Sequence, residues 1–278
     1  MKIREEIITA RTNPTVKWAC TLAEKKGRSE AGAFMAEGEK LTFEAIKSAL
    51  PITHVLVEES KKERLLPMLR AAMSTDAFKN TEILFLSESA FSKISTEKAP
   101  QGIISIIKHL DFFFNMDIIY KEEFFLEESE RALALCSVRD PGNLGSVIRS
   151  AVAFGVDHLV LSEDCADVYN PKTVRSAMGS LFKVKISYVK DFGSFISSAR
   201  ANGRRVFAAE LSEGAASLSD IDLCSTDVLI IGNEGHGIPK DVSEKCDKSV
   251  YIPISDKTES LNASVAAAVF MWEQKKLG

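Results

Sequence analysis

The fold is decided by the stretch Val228-Leu-Ile-Ile-Gly-Asn-Glu-Gly-His-Gly237. It opens with a continuous apolar run, which predicts a strand buried on both faces of a parallel sheet. The run ends in a loop with three glycines and one acid. Because glycine has no Cβ, such a loop lets the backbone come close to a ligand. We therefore expect an α/β fold with a ligand site at the carboxyl end of this strand.

A second stretch, Tyr251-Ile-Pro-Ile-Ser-Asp-Lys-Thr-Glu-Ser-Leu-Asn-Ala-Ser-Val-Ala-Ala-Ala-Val-Phe270, lies downstream. It predicts a short strand, a polar loop and a helix that contains four alanines between Ala263 and Ala268. Such small residues allow close packing of helix backbones. Ser260 or Asn262 can cap this helix and still present a side-chain oxygen to a neighbour.

A third stretch, Asp140-Pro-Gly-Asn-Leu-Gly145, follows a predicted buried strand at 132–138 and opens a helix at 144–154. Arg149 comes six residues after Asn143, so both side chains can face the mouth of one site. The stretch lacks the G-x-G-x-x-G spacing of dinucleotide-binding proteins, and the chain has no P-loop. A nucleotide-dependent oxidoreductase is therefore only a distant alternative, suggested by the alternation of strands and helices.

Length and composition indicate a folded protein of two domains. The chain has 278 residues, of which 45% are hydrophobic. Its first residues lack the apolar core of a signal peptide, and no run approaches the roughly 20 apolar residues of a membrane span. Five cysteines occur without a Cys-x-x-Cys pair, which argues against a disulfide framework or a structural zinc. We expect a cytoplasmic, soluble protein with no membrane partner.

Charge is distributed unevenly along the chain. The net charge is -4, yet residues 1–108 hold 17 Lys and Arg against 14 Asp and Glu, which leaves 18 against 25 for the rest. A nucleic-acid partner would therefore need a local basic cluster. One candidate cluster comprises Arg4, Arg11, Lys17, Lys25, Lys26 and Arg28. The alternative interpretation is a solvated helix face.

The pattern of elements predicts two α/β domains and a linker. Residues 1–30 are predicted to form a basic helical segment, with Asn13 and Pro14 as a helix cap and first turn. Strands and helices then alternate up to residue 107 and again from residue 131. The segment 109–130 is rich in Phe and Glu, which predicts a linker whose aromatics dock on a domain or partner subunit; an ordinary amphipathic helix and strand is the alternative. The predicted domains are therefore 1–108 and 131–278.

Three motifs occur in order and at a characteristic spacing. They are Asn143-Leu-Gly-Ser-Val-Ile-Arg149-Ser-Ala, Leu229-Ile-Ile-Gly-Asn-Glu-Gly-His-Gly237, and Ile252-Pro-Ile followed by Ser260-Leu-Asn-Ala-Ser-Val-Ala. Together they resemble the SpoU (TrmH-type) family of SPOUT-class RNA 2'-O-ribose methyltransferases. The stretches at 34–40 and 98–102 resemble the ribosomal-protein-L30e-like substrate-binding domain of that family, so the resemblance covers nearly the whole chain.

The resemblance implies a fold, a cofactor and an assembly. The C-terminal domain would be an α/β knot, in which the chain threads through a loop to form a trefoil, and two such domains would pair as a homodimer. The cofactor would be S-adenosylmethionine, leaving S-adenosylhomocysteine as product, without a metal. The backbone of Gly232, Ile252 and Leu261 would bind the adenosine part, with Asn233 and Gly235 also contacting the cofactor.

The resemblance also implies catalytic roles. Arg149 would activate the ribose hydroxyl, either by stabilising the developing alkoxide or as a strongly perturbed base. We favour the first, because an arginine normally stays protonated. Residues that would hold the ribose, the phosphate and Arg149 in place are Asn143, Glu234, Ser260 and Asn262. His236 is interpreted as a loop histidine, since no serine or cysteine nucleophile elbow accompanies it.

Several alternatives stay open from the sequence. Ribosomal RNA of the large subunit is favoured over transfer RNA as the substrate, because the two-domain layout resembles that of rRNA enzymes. A non-catalytic RNA-binding scaffold of the same fold is the other alternative. The sequence specifies neither the modified nucleotide nor its base.

Overall fold

The computed structural model describes residues 1–110, 126–233 and 235–275, which fall into two compact units. Unit 1 consists of residues 1–110 and Asp167–Phe182, and unit 2 of residues 126–166 and 183–275. Most of the predicted linker, including its phenylalanines, lies outside the described residues. The domain limits stay a prediction. The sequence pattern does not anticipate that residues 167–182 pack with unit 1.

Unit 1 is built on a mixed sheet with the strand order β1-β4-β3-β5-β2. The strands are β1 (Lys2–Ile8), β2 (Ala33–Glu37), β3 (Ile52–Glu58), β4 (Glu82–Leu86) and β5 (Ile103–Lys108). Strands β1, β4 and β3 run parallel, whereas β5 is antiparallel to both of its neighbours, β3 and β2.

Helices cover the sheet of unit 1. They are α1 (Pro14–Thr21), α2 (Lys25–Ala31), α3 (Glu39–Lys47), α4 (Lys62–Ala72), α5 (Glu88–Ile94) and, from the later segment, α7 (Pro171–Ala177). Val16 of α1 and Phe91 of α5 are fully buried with Leu56 and Leu86 of the sheet in one apolar core. Burial of these side chains supplies the main driving force for folding of this unit.

The first residues form a strand and not the predicted helix. Lys2–Ile8 pairs with β4 at the edge of the sheet, with a register shift between Arg4 and Ile7. An edge strand tolerates charged side chains because one of its sides faces solvent, so the charge-rich sequence is compatible with pairing. The helix cap is confirmed: the Asn13 side chain accepts a hydrogen bond from the backbone N–H of Thr15, and Pro14 opens α1.

Arg28 is wrongly included in the candidate basic cluster, because it is buried. Only 2% of Arg28 is exposed, and its Nη2 lies 2.5 Å from Oδ2 of Asp167. Its Nη1 donates to the carbonyl oxygens of Leu22 and Ala23, at 2.9 and 2.7 Å. The guanidinium thus ties residues 167–182 to residues 1–110 within unit 1, and it is not part of an exposed surface. Lys17, Lys25, Lys26 and Arg11 are exposed.

Replacing Arg28 by methionine is expected to destabilise the protein by about 3–5 kcal/mol, because it leaves a carboxylate and two carbonyls without their donor. The matched control is Lys26→Met on the same helix, α2. The Lys26 ammonium lies 3.9 Å from Glu30, and both side chains are largely exposed, so its loss should cost less than about 1 kcal/mol. Urea unfolding of both variants measures the difference, and equal losses would contradict the assignment.

Unit 2 is built on an all-parallel sheet with the strand order β10-β12-β9-β11-β6-β7-β8. Its strands are β6 (Ala132–Leu135), β7 (His158–Ser162), β8 (Lys185–Val189), β9 (Val206–Ala209), β10 (Ala216–Ser217), β11 (Val228–Ile231) and β12 (Lys248–Tyr251). Every residue of β11 is buried, as predicted from its apolar run. The α/β class is confirmed.

The helices of unit 2 are α6 (Pro141–Phe154), α8 (Phe192–Ala201), α9 (Lys240–Ser243) and α10 (Ala263–Lys275). Helices α6 and α10 pack against each other, and Ala263 and Ala267 are buried, consistent with the predicted role of small residues. The last turn of α10 is anchored by the buried Gln274, whose Nε2 donates to the carbonyl of Asp227 at 2.8 Å. The predicted threading of the C-terminal chain stays a prediction.

The strand order creates a crevice between β6 and β11. The chain leaves β6 towards β7 on one side, whereas it leaves β11 towards β12 on the other. The loops that follow these two strands therefore diverge, and ligands of parallel sheets bind at such a point. No described helix is long and apolar enough to cross a membrane.

Candidate functional site: a cavity at the carboxyl ends of the parallel strands

A cavity of about 650 Å³ opens in unit 2 at the carboxyl ends of its strands. Its wall is formed by the residues that follow β9, β11 and β12 and by the start of α10. Apolar side chains such as Ile231, Ile238 and Phe270 form much of this wall. The volume lies within the usual range for a small-molecule site, and the lining combines apolar side chains with loop residues.

The loop after β11 folds back on itself. Asn233 and Gly237 exchange both backbone hydrogen bonds, with N···O distances of 3.1 and 2.9 Å. Oδ1 of Asn233 accepts from the backbone N–H of Gly235 at 2.9 Å and of His236 at 3.2 Å. Gly237 has φ +67°, a conformation that glycine adopts without strain. The side chain of Asn233 thus fixes the loop that borders the cavity.

Gly232 has no room for a side chain. A Cβ at this position would lie 2.5 Å from the carbonyl carbon and 2.6 Å from the carbonyl oxygen of Gly237. Both are backbone atoms, so the clash could be relieved only by opening the loop. Gly232 is therefore required for the close approach of the two loop arms beside the cavity.

Asn233 also connects the loops on the two sides of the crevice. Its Nδ2 donates to the carbonyl oxygen of Ser137, which follows β6, at 3.0 Å. Ser137 has φ +59°, a strained value for a residue with a side chain. Its backbone N–H donates to Ser162 Oγ at 2.8 Å, and its own hydroxyl donates to Asp164 at 2.7 Å. These bonds hold a conformation that the backbone would not adopt alone.

Asp164 is the centre of this polar network. Burial alone would raise its pKa, but hydrogen bonds from Ser162, Arg139 and Ser137 outweigh burial and lower the pKa to about 2. Nη2 of Arg139 lies 2.7 Å from Oδ2 of Asp164. Since Arg139 directly precedes the N-cap of α6, the network fixes the start of the helix that carries Asn143 and Arg149.

The two helix starts that the sequence singled out lie side by side. Asp140 caps α6 by accepting from the N–H of Asn143 at 2.9 Å, and Asn262 caps α10 by accepting from the N–H of Ser264 at 3.0 Å. Nδ2 of Asn262 donates to Oδ1 of Asn143 at 3.0 Å. Of the two candidate caps, Asn262 is the one that caps α10; it reaches its neighbour with its amide nitrogen and not with an oxygen, because its oxygen is used for capping.

Asn262→Asp is expected to separate the two roles of this side chain. A carboxylate can still cap α10, so the free energy of unfolding should stay within about 0.5 kcal/mol, but it cannot donate to Asn143. Asn262→Ala loses both roles and should cost about 1 kcal/mol. Thermal unfolding and single-turnover methyl transfer measured on both variants test this. A fully active Asn262→Ala variant would show that the link to Asn143 is dispensable.

The structure brings together most of the predicted site residues. Those that line the cavity are Gly232, Asn233, Ile252, Ser260 and Leu261, whereas Gly235 is not among the lining residues. Asn143 and Asn262 are bonded to each other but are not lining residues; Asn262 lies between the lining residues Leu261 and Ala263. Arg149 is exposed on α6, and no described residue forms a hydrogen bond or ion pair with it. Glu234 lies outside the described residues.

Sequence reasoning missed three polar residues of this region: Ser137, Asp164 and Glu210. Glu210 directly follows β9 and lines the cavity. The signal that could have found Glu210 is its position, since an acid at the carboxyl end of a parallel strand points towards the ligand edge of the sheet. Asp164 has the corresponding place after β7.

Cys136 and Cys246 of unit 2 are partly or fully buried thiols. Burial raises the pKa of Cys136 to about 11 and that of Cys246 to about 12, so neither thiol is a ready nucleophile. Nowhere in the described ranges do three His, Cys, Asp or Glu side chains group as metal ligands would. His236 is exposed, and its Nδ1 lies 3.3 Å from Oδ1 of Asn233.

These features define unit 2 as an α/β domain with a cavity of small-molecule size at the carboxyl ends of its parallel strands. Comparison with known proteins gives the family: the model of the SpoU rRNA Methylase family matches residues 130–272, and the chain belongs to this family. A second model, the MRM3-like substrate binding domain, matches residues 13–105. The recognition from sequence motifs is thereby confirmed.

Individual relatives match over nearly the whole chain. The 23S rRNA (guanosine(2553)-2'-O)-methyltransferase RlmP of Bacillus subtilis is 33% identical over 96% of this chain and 98% of its own length. The 23S rRNA (uridine(2479)-2'-O)-methyltransferase of Streptomyces viridochromogenes is 28% identical over 96% of this chain and 90% of its own. The AdoMet-bound rRNA methyltransferase from Sinorhizobium meliloti has a TM-score of 0.82 at 29% identity and covers 99% of this chain and 98% of its own.

The protein is accordingly an RNA methyltransferase that uses S-adenosylmethionine. The residues present fit this cofactor. The cavity is large enough, its apolar wall can enclose a purine, and Gly232 keeps the loop backbone close to the cavity because a Cβ there would meet backbone atoms.

Proposed function

We propose that this chain methylates the ribose 2'-hydroxyl of one nucleotide in large-subunit ribosomal RNA. The observation that carries the proposal is the convergence of all three motifs on one crevice, where Asn143 is bonded to Asn262 and Gly232 lines the cavity. The relatives from Bacillus subtilis and Streptomyces viridochromogenes, both described as 23S rRNA 2'-O-methyltransferases, support the substrate class. They methylate guanosine and uridine respectively, so the base is left open.

The cavity beside Gly232 is proposed as the cofactor site. S-adenosylmethionine supplies an electrophilic methyl group on a sulfonium centre. The backbone of Gly232, Ile252 and Leu261 would read the edge of the adenine, and Asn233 would hold the loop that closes around it. Gly235 would contribute through its backbone. Glu234 and Ser260 remain proposed as residues that hold the ribose and phosphate of the RNA.

Arg149 is proposed as the group that activates the hydroxyl. It is exposed on α6, the helix whose first turn carries Asn143, and has no partner among the described residues, so its guanidinium is available to the RNA. A guanidinium beside the ribose 2'-hydroxyl would stabilise the negative charge that develops on the oxygen as its proton leaves.

Unit 1 is proposed to bind the RNA. The match to a substrate-binding domain supports this role, and Arg11, Lys17, Lys25 and Lys26 offer exposed positive charge for phosphates. Arg28 is excluded from this surface by its burial. The cytoplasm, where ribosomal RNA is found, is the proposed location.

A homodimer through unit 2 is also proposed. Val265 and Trp272 lie seven residues apart on α10, hence on one face, and are 47% and 50% exposed. Ile254 is a further exposed apolar residue of this unit. Apolar side chains this exposed on a short helix favour a second copy of the chain as their cover, and analytical ultracentrifugation of the full chain tests it.

The function is tested by mapping 2'-O-methyl groups in ribosomal RNA from cells with and without this gene. One site should be lost and should return with the wild-type gene, but not with Arg149→Ala. Purified protein should then methylate large-subunit RNA and leave bulk transfer RNA unmodified. Methylation of transfer RNA alone would support the transfer-RNA alternative, and cofactor binding without transfer to any RNA would support a non-catalytic scaffold.

A further inference from the structure

The described lining of the cavity includes acidic residues but no lysine or arginine. Two acidic residues, Glu210 and Glu259, line it together with His236. Glu259 is exposed on the polar loop before α10, where solvent screens its charge. Glu210 is half-buried, so its charge acts on the cavity with less screening.

Glu210 is fixed by its surroundings. Its backbone N–H donates to the carbonyl oxygen of Val250 at 3.1 Å, which ties it to β12. Its Oε1 accepts from the hydroxyl of Ser249 at 2.8 Å, and it forms no ion pair with any described lysine or arginine. The nearby Asp247, by contrast, pairs with Arg200 at 3.1 Å. Glu210 therefore presents a positioned carboxylate without a countercharge.

We propose that Glu210 is a specificity-determining residue that makes the cavity prefer the cationic methyl donor over the neutral product. The inference rests on the proposed cofactor site. S-adenosylmethionine carries a sulfonium, an ammonium and a carboxylate and has a net charge of +1 at neutral pH; S-adenosylhomocysteine lacks the sulfonium charge. Apart from the sulfonium methyl group and its charge, the two ligands are identical. A contact to a group that both contain would therefore change both affinities equally.

The preference has a functional consequence. A carboxylate within several ångströms of the sulfonium stabilises the donor complex and gives no such stabilisation to the product complex. After methyl transfer the product is then held less tightly, which favours exchange for fresh donor. The charge of Glu210 also acts on Cys246: burial and, after it, the charges of Glu210 and Asp247 raise the pKa of this thiol.

The test is calorimetric titration of wild type and Glu210→Gln with S-adenosylmethionine, with S-adenosylhomocysteine and with an unreactive analogue that bears an amine in place of the sulfonium. Glu210→Gln should weaken both cationic ligands about tenfold and the neutral product less than twofold. The matched control is Glu213→Gln, an exposed acid three residues further along the same loop and not part of the lining. It should leave the ratio of the two affinities within twofold.

An equal loss for donor and product in Glu210→Gln, or no loss for either, would overturn the inference. If the cavity is not the cofactor site, the result differs: Gly232→Ala would then leave the affinity for all three ligands unchanged. Thermal unfolding of each variant confirms that affinity is measured on folded protein.

Discussion

Arg149→Ala is expected to reduce methyl transfer by about 1,000-fold or more while leaving the affinity for S-adenosylmethionine within about twofold. The expected loss matches that of a single donor aimed at a developing oxyanion, increased by the loss of a phosphate contact. Cofactor affinity should persist because Arg149 is not among the residues that line the cavity. Single-turnover transfer of a labelled methyl group to large-subunit RNA, together with calorimetry of the cofactor, measures both quantities.

Arg149→Lys tests whether positive charge alone is sufficient at this position. Lysine keeps the charge but lacks the planar fork that can hold a ribose oxygen and a phosphate at once. We expect an intermediate loss of about 10- to 100-fold. Since the Arg149 side chain is exposed, neither variant should change the unfolding temperature by more than a few degrees. Full turnover by Arg149→Ala would remove this residue from the catalytic machinery.

Gly232→Ala is expected to weaken S-adenosylmethionine binding by about 10- to 100-fold. The added Cβ would lie 2.5 Å from the carbonyl carbon of Gly237, so the two arms of the loop must separate. Strain of this kind typically costs about 1–3 kcal/mol. The displaced backbone belongs to the loop that borders the cavity, so the strain should appear mainly as lost cofactor affinity.

The matched comparison is Gly235→Ala in the same loop. A Cβ at Gly235 would meet nothing nearer than Oδ1 of Asn233 at 3.5 Å, an ordinary contact. Its expected loss of affinity is below about fivefold, since only the backbone of Gly235 is proposed to act. Calorimetry of both variants distinguishes a steric requirement at one glycine from general sensitivity of the loop. Equal effects would argue against a special role of Gly232.

Local patterns predicted many elements of both units because each pattern has a local physical cause. The run at Val228–Ile231 is a buried strand, and Asn13 caps a helix that opens with Pro14. The strand Lys2–Ile8 could not be predicted, since its charges resemble a helix face and only pairing with β4 makes it a strand. Edge pairing depends on a partner about 80 residues away, which no local window contains.

The site, like the fold, could be predicted from the sequence only in part. The sequence pointed to Asn143 and Asn262 separately, but their hydrogen bond across 119 positions required the packing of α6 on α10. The burial of Arg28 required Asp167, 139 positions away. The charge pattern of the sequence therefore wrongly grouped Arg28, which is buried, with the exposed lysines and arginines. Glu210 was not predicted as a site residue, because only the folded structure shows that it lines the cavity.

The sequence by itself determined the α/β class and the family and pointed to several residues that line the cavity, because these depend on local apolar runs, glycines and motif spacing. Only the tertiary structure decided which of these residues meet, which charged residues are buried and which acidic residues line the cavity. Such properties arise from contacts between distant segments, where burial changes the free energy of a charge by more than any local propensity does.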